Sequence, residues 1–312
     1  MNGQQHLSET VITVKDLRIN GQGGFVLRVP DLAVQRGSLV ALVGRNGSGK
    51  STLVDALLNL IQIDTGSVQL FGQDLARIPA DHPLRTRIGA QVQGMTWTWS
   101  IKVSEILAIH NSLYGTTDEG VLEALGVGQL HSLIYRKLST GQRRRVDLAV
   151  ALAHRPDIVV LDEPSSGLDR QFEVGFRQIL KQQCEAGATL VLATHDELDV
   201  GMADRILWLD RGQIIDDGTP AAILEREVGR FVGTVDTTSG IDTTPIEQDL
   251  AAKARATTHV GHELRFFGDA ALREPFVQAM ERHSVGAYVV RPTQSSDLLD
   301  LIRGRAEHGP AL

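Results

Sequence analysis

The chain has 312 residues, 42% hydrophobic and 22% charged, which are the proportions of a folded globular protein with a packed core. Its formal net charge of -7 argues against general nucleic-acid binding, which needs a surplus of Lys and Arg on one face. The single cysteine, Cys184, excludes an internal disulfide and any multi-cysteine zinc site, and suits a reducing, cytosolic setting. The N-terminus lacks the charged start and apolar run of a secretory signal, and no stretch approaches the roughly 20 apolar residues that cross a bilayer. Any work at a membrane is therefore expected to be done by docking.

Short apolar runs at 11–14, 39–43, 87–92, 158–161 and 189–193 read as buried strands, and longer helical patterns fall between them at 50–60, 100–113, 141–154 and 171–184. This alternation predicts an α/β fold with a mostly parallel sheet covered on both faces. Antiparallel elements are expected at 25–29 and in the pair 205–209 and 213–216, joined by an Arg211-Gly212 turn. Length allows one full domain and a smaller one, and the pattern places the larger domain at 1–232. Thr, Asp, Gly and Ser dominate the next stretch, so 233–258 is read as a linker. Beyond it, 259–312 is expected to form a small βαβα appendage: strand 263–267, helix 273–283 with Pro275 in its first turn, strand 287–290 and helix 296–302.

Residues 44–52 read G-R-N-G-S-G-K-S-T, between the strand 39–43 and a helix beginning near Lys50. Gly44, Gly47 and Gly49 let consecutive backbone N–H groups turn inward onto phosphate oxygens, and the helix N-terminus adds its positive end. Lys50 then reaches the β- and γ-phosphates, Ser51 offers a hydroxyl to Mg²⁺, and Asn46, Ser48 and Thr52 complete the nucleotide-binding run. Residues 158–163, I-V-V-L-D-E, place two acids at the C-terminal edge of a buried strand, where open α/β sheets bind ligands. Asp162 suits the contact to Mg²⁺ beside Ser51, and Glu163 suits orienting or deprotonating an attacking water.

The segment L-S-T-G-Q at 138–142 opens a basic helix with Arg143, Arg144 and Arg145, and resembles the signature motif of ABC ATPases. The family has a further Gly where this chain has Thr140, but Ser139 and Gly141, which face the γ-phosphate in the family, are both present, as is Gln142. The resemblance continues in order. Gln93 falls where the family's Q-loop glutamine contributes to the metal and water site, S-S-G-L-D at 165–169 looks like the D-loop ending in Asp169, and His195 in A-T-H-D looks like the switch histidine.

The resemblance implies a P-loop ABC cassette with antiparallel N-terminal β elements and a helical subdomain. It implies an ATPase using ATP and Mg²⁺, in which two cassettes, here expected as a homodimer, sandwich two nucleotides head to tail. Ser139 of one copy would then serve the γ-phosphate of the other. It further implies integral membrane permease subunits as partners, a peripheral position on the cytoplasmic face of the membrane, and hydrolysis coupled to transport. Soluble relatives acting in translation or DNA repair carry two cassettes or a long coiled coil, and neither is present. The aromatic that stacks on adenine has no counterpart at 20–22, which leaves Phe25 as its candidate, with a core strand residue as the alternative reading. Trp97 and Trp99 in M-T-W-T-W-S are read either as anchors for a permease or as residues packed on the cassette. Leu113-Tyr114-Gly115 and the C-terminal appendage are similar to the cassettes of bacterial drug and antibiotic-immunity exporters with separate permeases.

Overall fold

A computed structural model describes residues 9–79, 81–94, 97, 100–238 and 240–304. Chain contacts divide the molecule into two units, Met1–Ile215 and Asp216–Leu312, with the division inside a strand.

The first unit opens with β1 (Thr10–Asn20) and β2 (Val26–Gln35), an antiparallel pair, followed by β3 (Leu39–Gly44), α1 (Lys50–Leu57), β4 (Thr65–Leu70) and the two-residue β5 (Gln73–Asp74). Then come β6 (Ile88–Gln91), α2 (Val103–Tyr114), α3 (Glu119–Ala124) and α4 (Thr140–Leu152). The last elements are β7 (Ile158–Asp162), α5 (Arg170–Glu185), β8 (Thr189–Ala193), α6 (Glu197–Gly201), β9 (Arg205–Asp210) and β10 (Gln213–Gly218). One ten-stranded sheet results, in the order β5-β4-β1-β2-β10-β9-β3-β8-β7-β6. Its half from β9 to β6 is parallel, and its β5-β4-β1-β2 end is antiparallel.

The apolar runs explain the parallel half. Every residue of β7 and β8 is buried, as strands covered on both faces must be. Helix α2 stops at Gly115, which adopts the left-handed conformation (φ 71°) that favours glycine at a helix end. Arg211 and Gly212, at φ 45° and 79°, make the tight turn between β9 and β10 that the dipeptide predicts. Among the described residues no helix is long and apolar enough to cross a membrane.

A buried histidine pair ties α2 and α4 to β6. His154 stacks on Tyr114 with centroids 3.9 Å apart, its Nδ1 is 3.3 Å from Nε2 of His110, and its Nε2 is 3.3 Å from the Ile88 carbonyl. With both rings neutral, His154 donates from Nε2 to Ile88 and His110 donates from Nε2 to His154, which leaves Nδ1 of His110 an acceptor, 3.4 Å from Thr117 Oγ1. Burial first, and His110 second, push the pKa of His154 down to about 4. The unfolded chain therefore binds the extra proton more readily than the folded one. Stability should be complete above the ordinary value of 6.5 and decline as pH falls toward 4. Denaturant unfolding should lose about 2 kcal/mol between neutrality and roughly pH 5, and the loss should shrink in His154→Gln. An equal pH dependence in that variant would place the sensitivity elsewhere.

The second unit differs from its sequence reading. The stretch 233–258 is not a linker: β11 (Phe231–Asp236), α8 (Thr244–Leu250) and β12 (Ala256–Val260) run through it, preceded by the short α7 (Pro220–Ile223). Then follow β13 (Glu263–Gly268), α9 (Ala270–Arg282), β14 (Tyr288–Pro292) and α10 (Ser295–Gly304). The expected βαβα is thus the second half of a βαββαβ unit, closed by α10. The order β12-β13-β11-β14, all antiparallel, is the split β-α-β arrangement of ferredoxin-like sheets. Pro275 lies inside α9 and not in its first turn, because the helix begins three residues earlier than expected. Val235, Ile246, Leu250, Phe266 and Phe276 form this unit's own core.

Candidate functional site

The loop between β3 and α1 turns on glycines. Gly44 has φ 152°, and a Cβ there would stand 2.2 Å from the Leu209 carbonyl oxygen, so a side chain is excluded by both conformation and space. Gly49, left-handed at φ 108°, precedes α1, and its Cα faces Phe25, whose Cζ would be 3.1 Å from an added Cβ. Lys50, only 7% exposed, opens the helix and folds back across the loop, donating from Nζ to the carbonyls of Gly44 (2.8 Å) and Arg45 (3.2 Å). Burial lowers the pKa of its ammonium, while Glu163 and Asp162 hold it up. Ser48 is buried in the loop, and its Oγ has no hydrogen-bond partner.

The two acids occupy different environments at the end of β7. Asp162 is 2% exposed and its Oδ1 has no hydrogen-bond partner, which is the condition of a buried carboxylate oxygen suited to a cation. Glu163 is only partly buried and sits at φ 52°, a conformation uncommon for a residue with a side chain and typical of functional turns. Its Oε2 lies 2.5 Å from Nδ1 of His195, which is 60% exposed at the turn after β8. Burial raises the pKa of Glu163, and His195 and Lys50 oppose the rise.

A cleft of about 800 Å³ brings together Asn46, Gly47, Gly49, Lys50, Ser51 and Thr52 of the loop with Phe25, Gln93, Glu163 and His195. Phe25 lies just before β2, lines this cleft and also packs against the core. The cleft lining does not include Gly44, Ser48 or Asp162, nor does it collect Ser139, Gly141, Gln142 or Asp169. Ser139 and Gln142 form a reciprocal cap on α4: Ser139 Oγ accepts from the Gln142 N–H (3.2 Å) and Gln142 Oε1 from the Ser139 N–H (3.0 Å). Asp169 is exposed at the start of α5. Trp97 is half-buried, and Trp99 lies outside the described residues.

Three side chains to which the sequence reading gives no role hold these elements in place. Asp199, fully buried, accepts from Ser165 Oγ (2.6 Å), Thr194 Oγ1 (3.2 Å) and Arg177 Nε (2.9 Å), so the residues two after Glu163 and one before His195 share one carboxylate. Arg177 also donates to Asp196 (2.9 Å), on the other side of His195. Arg144, in the basic run of α4, reaches the carbonyls of Asp162 and Glu163. No local spacing links these positions, because the partners lie some 5 to 34 residues apart.

The family model described as ABC transporter matches residues 27–166. The spermidine/putrescine import ATP-binding protein of Haemophilus influenzae is 30% identical over 244 residues, or 74% of this chain, and this chain spans 65% of that protein's length. The Nod factor export ATP-binding protein I of Cupriavidus metallidurans is 32% identical over 287 residues, 88% of this chain and 91% of its own. A solved ATP binding subunit of an ABC transporter superposes with a TM-score of 0.62 over 70% of this chain and 93% of that one, and at 24% identity it speaks for the fold alone. With a relative 32% identical and aligned over nine-tenths of its own length, and the family's own model running from β2 to the turn behind Glu163, the chain belongs to the ABC transporter ATP-binding family.

Proposed function

We propose that the chain binds and hydrolyses ATP with Mg²⁺ and drives substrate movement through separate membrane permease subunits. The observation that carries this reading is the single cleft in which the glycine-rich loop and Lys50 meet the Glu163–His195 pair. Loop N–H groups and Lys50 hold the β- and γ-phosphates, and Phe25 offers a face to adenine. Glu163, beside His195, accepts a hydrogen bond from the attacking water and orients it toward the γ-phosphorus. Ser51, Gln93 and the unpartnered Oδ1 of Asp162 would hold Mg²⁺ directly or through water, consistent with the few protein ligands Mg²⁺ usually takes. When bound, Mg²⁺ neutralises charge on the β- and γ-oxygens.

Ser139, Gly141, Gln142 and Asp169 stand outside the chain's own cleft, which supports their service to a second cassette, here a second copy of this chain. Ser139 would add a helix N-terminus and a hydroxyl to the partner's γ-phosphate, so that hydrolysis loosens the dimer. Export is the favoured direction. The Nod factor export relative aligns over 88% of this chain and 91% of its own length, against 74% and 65% for the spermidine/putrescine import relative. On this reading the chain sits peripherally on the cytoplasmic face of the membrane, and the cargo is set by the permease.

Permease docking falls on residues 93–101 and the adjoining groove lined by Ser100, Ile101, Glu105, Ala108 and Ile109. Assembly with the permease should raise ATP turnover about ten-fold or more, since tethering two cassettes replaces a bimolecular encounter by a local one. Replacing Trp97 and Trp99 together by Ala should lower complex recovery and stimulation while nucleotide binding by the isolated chain is unchanged. Full assembly and stimulation in the doubly substituted chain would move the docking surface elsewhere, and absence of any ATPase activity in the assembled wild-type complex would overturn the function itself.

A further inference from the structure

Helix α4 does more than present Ser139. One and a half turns beyond that cap, the guanidinium of Arg144 donates through Nη2 to the carbonyl oxygens of Glu163 (2.5 Å) and Asp162 (3.4 Å), and through Nε to that of Ser166 (3.4 Å). One rigid, planar cation thus bridges three carbonyls of the turn that leaves β7. The carbonyl it grips most closely belongs to Glu163, the residue held at φ 52°. Such a conformation persists only where its surroundings over-determine it, and a rotation that relaxed it would swing the carbonyl away from Arg144.

A second contact on the same helix is independent of this one. Gly141 lies so close to the far end of the turn that an added Cβ would be 2.7 Å from the Gly167 carbonyl oxygen. The first two turns of α4 therefore touch the 162–167 turn at both its ends. Farther along the helix, the buried Tyr135 hydroxyl donates its one hydrogen to the Asp147 carboxylate, whose two oxygens lie 2.8 and 2.9 Å away, which fixes α4 against the segment that leads into the signature. Asp147, Asp162 and Glu163 are the charged groups that favour the Arg144 cation, against the cost of its burial.

We infer that Arg144 is a positioning residue: it sets the backbone of Glu163 from helix α4, so that engagement of the Ser139 end with one nucleotide governs the acid serving the other. This rests on the role given to Glu163 above. A guanidinium that spans three carbonyls cannot be replaced by a shorter amide, whereas an ammonium can still reach one of them.

The test uses the assembled transporter. Arg144→Gln should lower kcat about ten- to a hundred-fold, the range expected when a reacting group is misplaced by about an ångström, with KM for ATP held within about two-fold. Arg144→Lys should recover a substantial part of kcat, and the thermal midpoint of both variants should stay near that of the parent. In a Glu163→Gln background the same substitution should have no further effect on the residual rate, because residues acting through one another are not additive. Normal turnover in Glu163→Gln would sink the reading of the acid, whatever Arg144 does. Loss of turnover in Glu163→Gln together with normal kcat in Arg144→Gln would overturn the positioning role alone, as would an Arg144 effect confined to KM or fully additive with Glu163→Gln. If Arg144→Gln does not fold, Arg144→Lys carries the same comparison: a reduced kcat at unchanged KM supports the inference, and a parental kcat removes it.

Discussion

Glu163→Gln is expected to leave ATP binding intact and to slow hydrolysis about 10²- to 10⁴-fold, the usual contribution of a positioned general base. The amide keeps the size of the carboxylate and the strand-end backbone, including the bond from the Glu163 N–H to the Ala193 carbonyl (2.8 Å). It exchanges one of the two acceptor oxygens for an NH2 donor and loses the negative charge, and with it the basicity that draws a proton from water and the carboxylate partner of His195, 2.5 Å away. Because the phosphate contacts come from the loop and Lys50, closure of two cassettes on nucleotide should survive, and a closed dimer should accumulate in size-exclusion chromatography with ATP. The pH profile offers a second reading. Burial raises the pKa of Glu163, so protonation silences the base at a higher pH than for an ordinary glutamate, and kcat should fall as pH descends through that raised value. The residual rate of the Gln variant should lack this acid limb. Parental turnover in the assembled complex would refute the role.

What could be read beforehand followed how local the physical signal was. β3, β7 and β8 announce themselves because a strand buried on both faces has to be apolar throughout, and the 44–52 loop does so because its glycines and Lys50 answer to one ligand geometry. The second unit hid for the opposite reason. Gly233 reads as loop, yet it sits in β11 with the Phe276 ring lying against it, where a Cβ would be 2.5 Å from the ring. In β11 only Val232 and Val235 supply large buried apolar side chains besides the half-buried Phe231, too few to outweigh the Thr and Asp around them. Helix α8 did leave a trace: Pro245 in its first turn and Ile246 and Leu250 four apart are the marks of a short amphipathic helix. Arg144, Arg177 and Asp199 left none, since a basic run and an acid after a histidine look like solvated surface until the fold brings 162–166, 177 and 194–199 together.

Lys50→Ala should act on the other half of the cycle and weaken nucleotide binding itself. A hydrogen bond between an ammonium and a phosphate oxygen is charge-assisted, and its loss costs about 1.5–3 kcal/mol, or roughly 10- to 100-fold in affinity. The setting of Lys50 favours the upper part of that range. Its side chain is largely out of water, where Coulomb interactions are screened less, and its bonds to the Gly44 and Arg45 carbonyls already keep Nζ over the loop, so little ordering remains to be done on binding. Removing the cation also leaves Asp162 and Glu163 without a positive neighbour that now offsets their charge, which should raise the pKa of Glu163 further and add a loss of turnover to the loss of affinity. The two substitutions therefore separate cleanly in an equilibrium titration of the isolated chain with a fluorescent ATP analogue: parental affinity for Glu163→Gln, and a curve displaced to higher nucleotide concentration for Lys50→Ala. An undisplaced curve for Lys50→Ala would mean that the phosphates are not held by this loop, and with it the assignment of the whole cleft would fall.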